Sequence, residues 1–145
     1  MGLLQLIFGV SEFEMPDDWI PAGYVVADSD GCVFREEFLA MSKKERDKIC
    51  NGVGAADGLS KLVPDTVFGM SIKDLADQHD YDYWRGGTTH DRLTADVVFF
   101  NNMLRRFKSG SRFLYPFRKH RAKVYFDFLR DFGFRHFNAK RRSDV

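Results

Sequence analysis

His79, Asp80 and Asp96 are the residues of this chain whose types and positions bear most directly on chemistry. On one predicted helix the apolar-facing positions are Ile72, Leu75, Ala76, His79 and Tyr83. On the next they are Leu93, Asp96, Val97, Phe100, Leu104 and Phe107. Both sets follow the i, i+3, i+4, i+7 spacing of one helix face, so His79 and Asp96 fall where core is expected. A buried carboxylate needs a partner, and the simplest partner is an imidazole on the adjacent helix. Such a pair is a candidate general base.

The elements that must position the pair are legible. Ser71-Ile-Lys-Asp74 has the form of a capping box and starts a helix from Ile72 to about Trp84. Gly86-Gly87 ends it. Thr88-Thr-His-Asp91 is a second capping box, opening a helix from Thr89 to Lys108. The short connection implies two antiparallel helices side by side. His79 lies about seven residues before the turn and Asp96 about nine after it. At roughly 1.5 Å per residue they stand at similar heights.

Upstream, Tyr24-Val-Val-Ala, the turn cluster Asp28-Ser-Asp-Gly31 and Cys32-Val-Phe predict a β-hairpin. Glu36–Cys50 reads as a helix in which Ser42 and Glu45 could act as a capping box and restart it. Asn51-Gly-Val-Gly54 ends that helix, either as a plain C-cap or as backbone turned toward a ligand. Residues 59–70 form an apolar connector carrying Pro64 and Gly69. Downstream, Ser109-Gly-Ser111 is a break. Leu114–Phe132 predicts a further helix with Pro116 in its first turn, closed by Gly133.

The expected architecture is a mainly α single domain over residues 1–145: an N-terminal extension (1–50) with a small β-hairpin, a core (51–108) built on the antiparallel helix pair carrying the His/Asp site, and a basic, aromatic, amphipathic helical tail (109–145). The formal net charge of +1 conceals an asymmetry. Residues 1–104 hold 9 Lys/Arg against 18 Asp/Glu, or −9, whereas residues 105–145 hold 13 against 3, or +10. Arg118, Lys119, Arg121 and Lys123, alternating with Phe117, Tyr125, Phe126 and Phe128, suit an anionic surface, either phospholipid headgroups or nucleic acid. A packing helix with a solvated charged face is the plainer alternative.

No segment reaches the length of a transmembrane helix, and the apolar Gly2–Val10 lacks the positive flank of a signal peptide. A soluble product is expected, in a bacterial cytoplasm or carried on a virion. The two cysteines, Cys32 and Cys50, allow at most one bridge. His90, His120 and His136 read as solvated. Asp57, Asp82 and Asp91 read as turn, surface and cap residues. No His/Cys spacing has the pattern of a zinc site.

The stretch Ala76-Asp-Gln-His79-Asp80-Tyr-Asp-Tyr83, followed by Ala95-Asp96-Val-Val-Phe99, resembles phospholipase A2, and most of all its bacterial, phage and parvovirus-capsid members. The shared pattern is His-Asp-x-x-Tyr on one helix and an Asp followed by an aromatic on the next, with an upstream Gly-x-Gly. The resemblance covers residues 51–105. It implies that His79 takes a proton from water and that Asp96 fixes the imidazole. It further implies that Tyr83 satisfies the second oxygen of Asp96, and that Asp80 binds Ca²⁺ with backbone carbonyls near Gly52 and Gly54. The metal would polarise the sn-2 ester carbonyl of a glycerophospholipid. One carboxylate plus carbonyls would hold Ca²⁺ with a dissociation constant on the order of 0.1–1 mM. The chain departs from the secreted enzymes in lacking cysteines around His79-Asp80, and Gly54 lies 25 positions before His79.

Three functions compete at this point. The first is Ca²⁺-dependent ester hydrolysis at a membrane. The second is a non-catalytic phage or viral particle component that holds nucleic acid, membrane or other virion proteins through the basic tail. A metal-dependent phosphodiesterase is third, disfavoured by the scarcity of clustered His and Asp ligands.

Overall fold

The computed structural model of the chain describes residues 12–50 and 63–137. Within them the protein is mainly helical. Strands β1 (Tyr24–Val26) and β2 (Val33–Arg35) precede the short helices α1 (Glu36–Ala40) and α2 (Lys43–Cys50). A two-residue pair, β3 (Thr66–Val67) and β4 (Met70–Ser71), leads into α3 (Lys73–Arg85), α4 (Thr89–Lys108) and α5 (Tyr115–Phe132). A 3₁₀ turn, Gly133–Arg135, follows α5.

The N-terminal hairpin forms as its turn chemistry predicts. β1 and β2 are antiparallel, with Val25 opposite Phe34. Asp28 Oδ1 accepts from the backbone N–H groups of Asp30 and Cys32, both at 3.0 Å, which locks the turn. The expected single helix over 36–50 is two helices. Met41 is extended, and Ser42 Oγ accepts from the Glu45 N–H at 3.2 Å to start the second. Arg46 takes the carbonyls of Phe38 and Leu39, which the end of α1 leaves open.

The α3–α4 pair is antiparallel around Gly86-Gly87, and the Thr88/Asp91 capping box is complete. The Ser71 capping box does not form, because Asp74 is drawn instead to Arg106 of α4. Arg106 also pairs with Asp28 at 2.9 Å, so one guanidinium joins the hairpin turn, α3 and α4. The β3–β4 pair lies within the expected apolar connector and its junction with α3. Two-residue strands carry no periodicity to detect.

Helix α4 is central. Every residue from Ala95 to Arg105 is buried, and α4 packs against both α3 and α5. Phe100, Met103, Leu104 and Phe107 share one buried core with Leu75 of α3 and Ala122, Phe126 and Leu129 of α5, the Phe100 and Phe126 ring centres lying 5.2 Å apart. The polar residues of α4 satisfy extended backbone. Asn102 both accepts from the Val33 N–H (2.9 Å) and donates to the Val33 carbonyl (2.8 Å), while Asn101 does the same for Met15 and Phe13. The amides of α4 thus act as surrogate strand partners for the N-terminal segment. Both cysteines are buried free thiols.

Candidate active site

The α3–α4 seam places His79 and Asp96 against each other. His79 is 3% exposed and Asp96 0%. His79 Nε2 lies 2.8 Å from Asp96 Oδ1. Burial alone would raise the Asp96 pKa, but hydrogen bonds from His79, Tyr83 and Arg130 outweigh it and hold the carboxyl below the ordinary range. A carboxylate only accepts, so the neutral imidazole carries its proton on Nε2 and keeps the Nδ1 lone pair free for a proton from elsewhere. The ring is held between Tyr83, centroids 4.2 Å apart, and Phe99 at 5.1 Å.

Tyr83 donates to Asp96 Oδ1 at 2.6 Å, the same oxygen that His79 uses. The expectation that Tyr83 would satisfy the second oxygen is therefore corrected. Oδ2 accepts from Arg130 Nη1 of α5 at 2.7 Å, with Arg92 Nη1 at 3.8 Å one turn before Asp96. Arg92 also donates to the Leu129 and Arg130 carbonyls, tying α4 to the end of α5. Gly133 makes room for the arrangement, since a Cβ there would collide with the Tyr83 hydroxyl. Sequence reasoning missed Arg130. It sits in what reads as a basic tail, 34 residues from the carboxylate it serves.

Asp80 is 7% exposed and accepts no hydrogen bond from any described residue. Burial pushes its pKa up to about 7, with Asp77 adding to the shift and His79 opposing it. One carboxylate oxygen each of Asp80 and Asp77 and the Cys50 sulfur lie within 4.8 Å of one another. A buried carboxylate without a donor, beside a second carboxylate, suits a hard cation such as Ca²⁺. Calcium takes six to eight oxygens, and the further ligands expected at Gly52 and Gly54 lie outside the described residues.

Asp82 is not a surface residue. It is fully buried, accepting from Tyr24 (2.6 Å), Gln78 (2.8 Å) and the Arg35 guanidinium (2.5 Å). Gln78 in turn accepts from the Arg35 backbone N–H. This second polar cluster fastens the β1–β2 hairpin to α3.

Of the basic residues expected to meet a membrane, Arg118 is reassigned. It is buried and donates to the Val67 and Phe68 carbonyls, holding the β3–β4 turn against α5. Lys119 pairs with Glu14 at 2.9 Å and Lys123 with Asp127 at 2.6 Å. Arg121 is exposed, its guanidinium 5.9 Å from the Phe68 ring centre.

No family model matches the chain, and no curated protein or solved structure matches it.

Proposed function

We propose that this chain is a Ca²⁺-dependent phospholipase A2-like hydrolase that cleaves the sn-2 ester of glycerophospholipids with a water activated by His79. The observation that carries the reading is the buried 2.8 Å bond from His79 Nε2 to Asp96, which leaves Nδ1 as the basic nitrogen. Nδ1 takes the proton of the attacking water, and the resulting imidazolium is stabilised by the Asp96 carboxylate. The same nitrogen then returns the proton to the leaving alkoxide. Tyr83 and Arg130 hold Asp96 ionised and in place. Tyr83 keeps its own proton, because burial and the neighbouring carboxylate raise its pKa further. Ca²⁺ bound by Asp80 and Asp77 would supply Lewis-acid polarisation of the ester carbonyl.

The test is fatty-acid release from phospholipid vesicles in the presence of Ca²⁺. His79→Gln is expected to lower kcat by at least about 10²-fold with the fold intact by circular dichroism, and chelation to abolish turnover. Full activity in that variant would overturn the proposal.

An exposed aromatic surface supports a lipid partner. Phe113 is 78% exposed, and Phe68, Phe113 and Phe117 form a continuous row with centroids 6.0–6.3 Å apart. Phe68 adopts φ +46°, a strained conformation for a non-glycine residue, at the tip of the β3–β4 turn. Arg112 and Arg121 are exposed beside the row and form no ion pair with any described residue. Apolar rings flanked by exposed guanidinium groups match an anionic bilayer surface. Phe113→Ser with Phe117→Ser is expected to weaken partitioning onto anionic vesicles at least about tenfold, read by sedimentation, while hydrolysis of a monomeric short-chain ester is retained. Unchanged partitioning would remove this surface from the reading.

A further inference from the structure

The chain carries no zinc-like spacing in its sequence, yet packing of α2 on α3 assembles three donors of mixed softness. Cys50 ends α2, and Asp77 and Asp80 lie one turn apart on α3. Their ligand atoms are mutually within 4.8 Å. Asp80 supplies a second observation. It is more than nine-tenths buried, its carboxylate belongs to this cluster, and it has no hydrogen-bond donor among the described residues. Cys50 Sγ is held by a hydrogen bond to the Asp77 carbonyl at 3.4 Å, so the thiol already sits over this turn of α3.

A thiol adds little to a Ca²⁺ site, because calcium selects oxygen. It adds much to a Zn²⁺ site, where one sulfur and two carboxylate oxygens leave a fourth position for water. We propose that Cys50, Asp77 and Asp80 form a binding site for a thiophilic divalent cation of the Zn²⁺ class, and that its occupation withdraws Asp80 from Ca²⁺. The site stands on the donor geometry alone. Only the competition with Ca²⁺ rests on the hydrolase reading.

Binding forms a metal–sulfur bond and two metal–oxygen bonds, and the Cys50 thiol proton leaves to solvent. For tetrahedral coordination with Zn–S near 2.3 Å and Zn–O near 2.1 Å, the donors must draw in to roughly 3.5 Å from one another. Among the described residues the competing cation is Lys73, whose ammonium contacts Asp77 Oδ2 at 2.9 Å. Its side chain is half exposed, so it can turn to solvent without loss of packing.

The test uses Co²⁺ as a spectroscopic stand-in on the reduced full chain. Wild type is expected to give a thiolate-to-metal charge-transfer band saturating at one equivalent, displaced by Zn²⁺ and not by excess Ca²⁺. The Cys32→Ser chain, whose only thiol is Cys50, is expected to keep the band. Cys50→Ser is expected to lose it, and Asp80→Asn to weaken binding at least about tenfold. In parallel, Zn²⁺ is expected to inhibit Ca²⁺-supported vesicle hydrolysis.

A wild-type or Cys32→Ser chain without the band overturns the site, and this outcome does not depend on the folding of Cys50→Ser. A band that survives in folded Cys50→Ser overturns it equally. A chain that shows the band but never hydrolyses ester with Ca²⁺ separates failure of the hydrolase reading from failure of the metal site. A chain that hydrolyses ester undisturbed by bound Zn²⁺ overturns the competition.

Discussion

Asp96→Asn is expected to reduce kcat for vesicle hydrolysis by about 10³–10⁴-fold, with KM little changed. Arg130 makes the effect large. An amide in place of the carboxylate has one acceptor and one donor edge. The guanidinium beside Oδ2 can only donate, whereas the Tyr83 hydroxyl beside Oδ1 can turn to accept, so the amide oxygen goes to Arg130 and the amide nitrogen faces Tyr83 and His79. His79 Nε2 must then accept, its proton moves to Nδ1, and the nitrogen that should receive a proton from water is blocked. Steady-state kinetics beside a circular dichroism spectrum check this. Activity within threefold of wild type would show that Asp96 does not set the tautomer. The double variant Asp96→Asn with Arg130→Met frees the amide to turn its oxygen back to His79. It is expected to recover part of the loss, an outcome that a purely structural role for Arg130 would not give.

The second large effect concerns stability. Asp82→Ala removes the only carboxylate among the described residues that is bonded to the buried Arg35, and leaves the Tyr24 hydroxyl and the Gln78 amide without their acceptor. Breaking a buried pair on one side costs about 3–5 kcal/mol, because the remaining charge stays desolvated. At about 2–4 °C per kcal/mol, the melting temperature should fall by roughly 6–20 °C. Asp82→Asn keeps the shape and one acceptor and should lose less. The triple substitution Asp82→Leu, Arg35→Met, Tyr24→Phe removes every charge together and should recover much of the stability. Differential scanning calorimetry distinguishes these cases. A shift under 2 °C in Asp82→Ala would mean that the Arg35 guanidinium escapes to solvent.

The contrast between these two aspartates shows what could be read in the chain. Asp96 stood out because its helix is long, capped by a recognisable box and apolar on the positions around it. Its partner sits on the next helix, across a two-glycine turn. Short connections make neighbours predictable. Asp82 reads as a surface residue because the partners that bury it, Arg35 and Tyr24, come from β2 and β1, 47 and 58 residues away, and the one local partner, Gln78, does not announce them. Arg130 was hidden for the same reason, since the docking of α5 across α4 is settled by tertiary packing. From sequence the basic residues of α5 form one exposed set, suited to an anionic surface or simply solvated. Packing sorted them, with Arg118 buried under the β3–β4 turn, Arg130 turned onto Asp96 and Arg121 left exposed. The glycine segment lies outside the described residues, so the carbonyl ligands expected there enter neither prediction.

Because the Asp96 carboxylate is gripped from both flanking helices, the order of synthesis matters. A ribosome delivers His79 and Asp96 well before it delivers Arg130. The nascent polypeptide therefore holds both members of the dyad while the guanidinium that completes them is still unmade. A chain that ended ahead of that segment would carry the Asp96 carboxylate without its Arg130 donor, so the dyad is completed only by the last long helix to emerge.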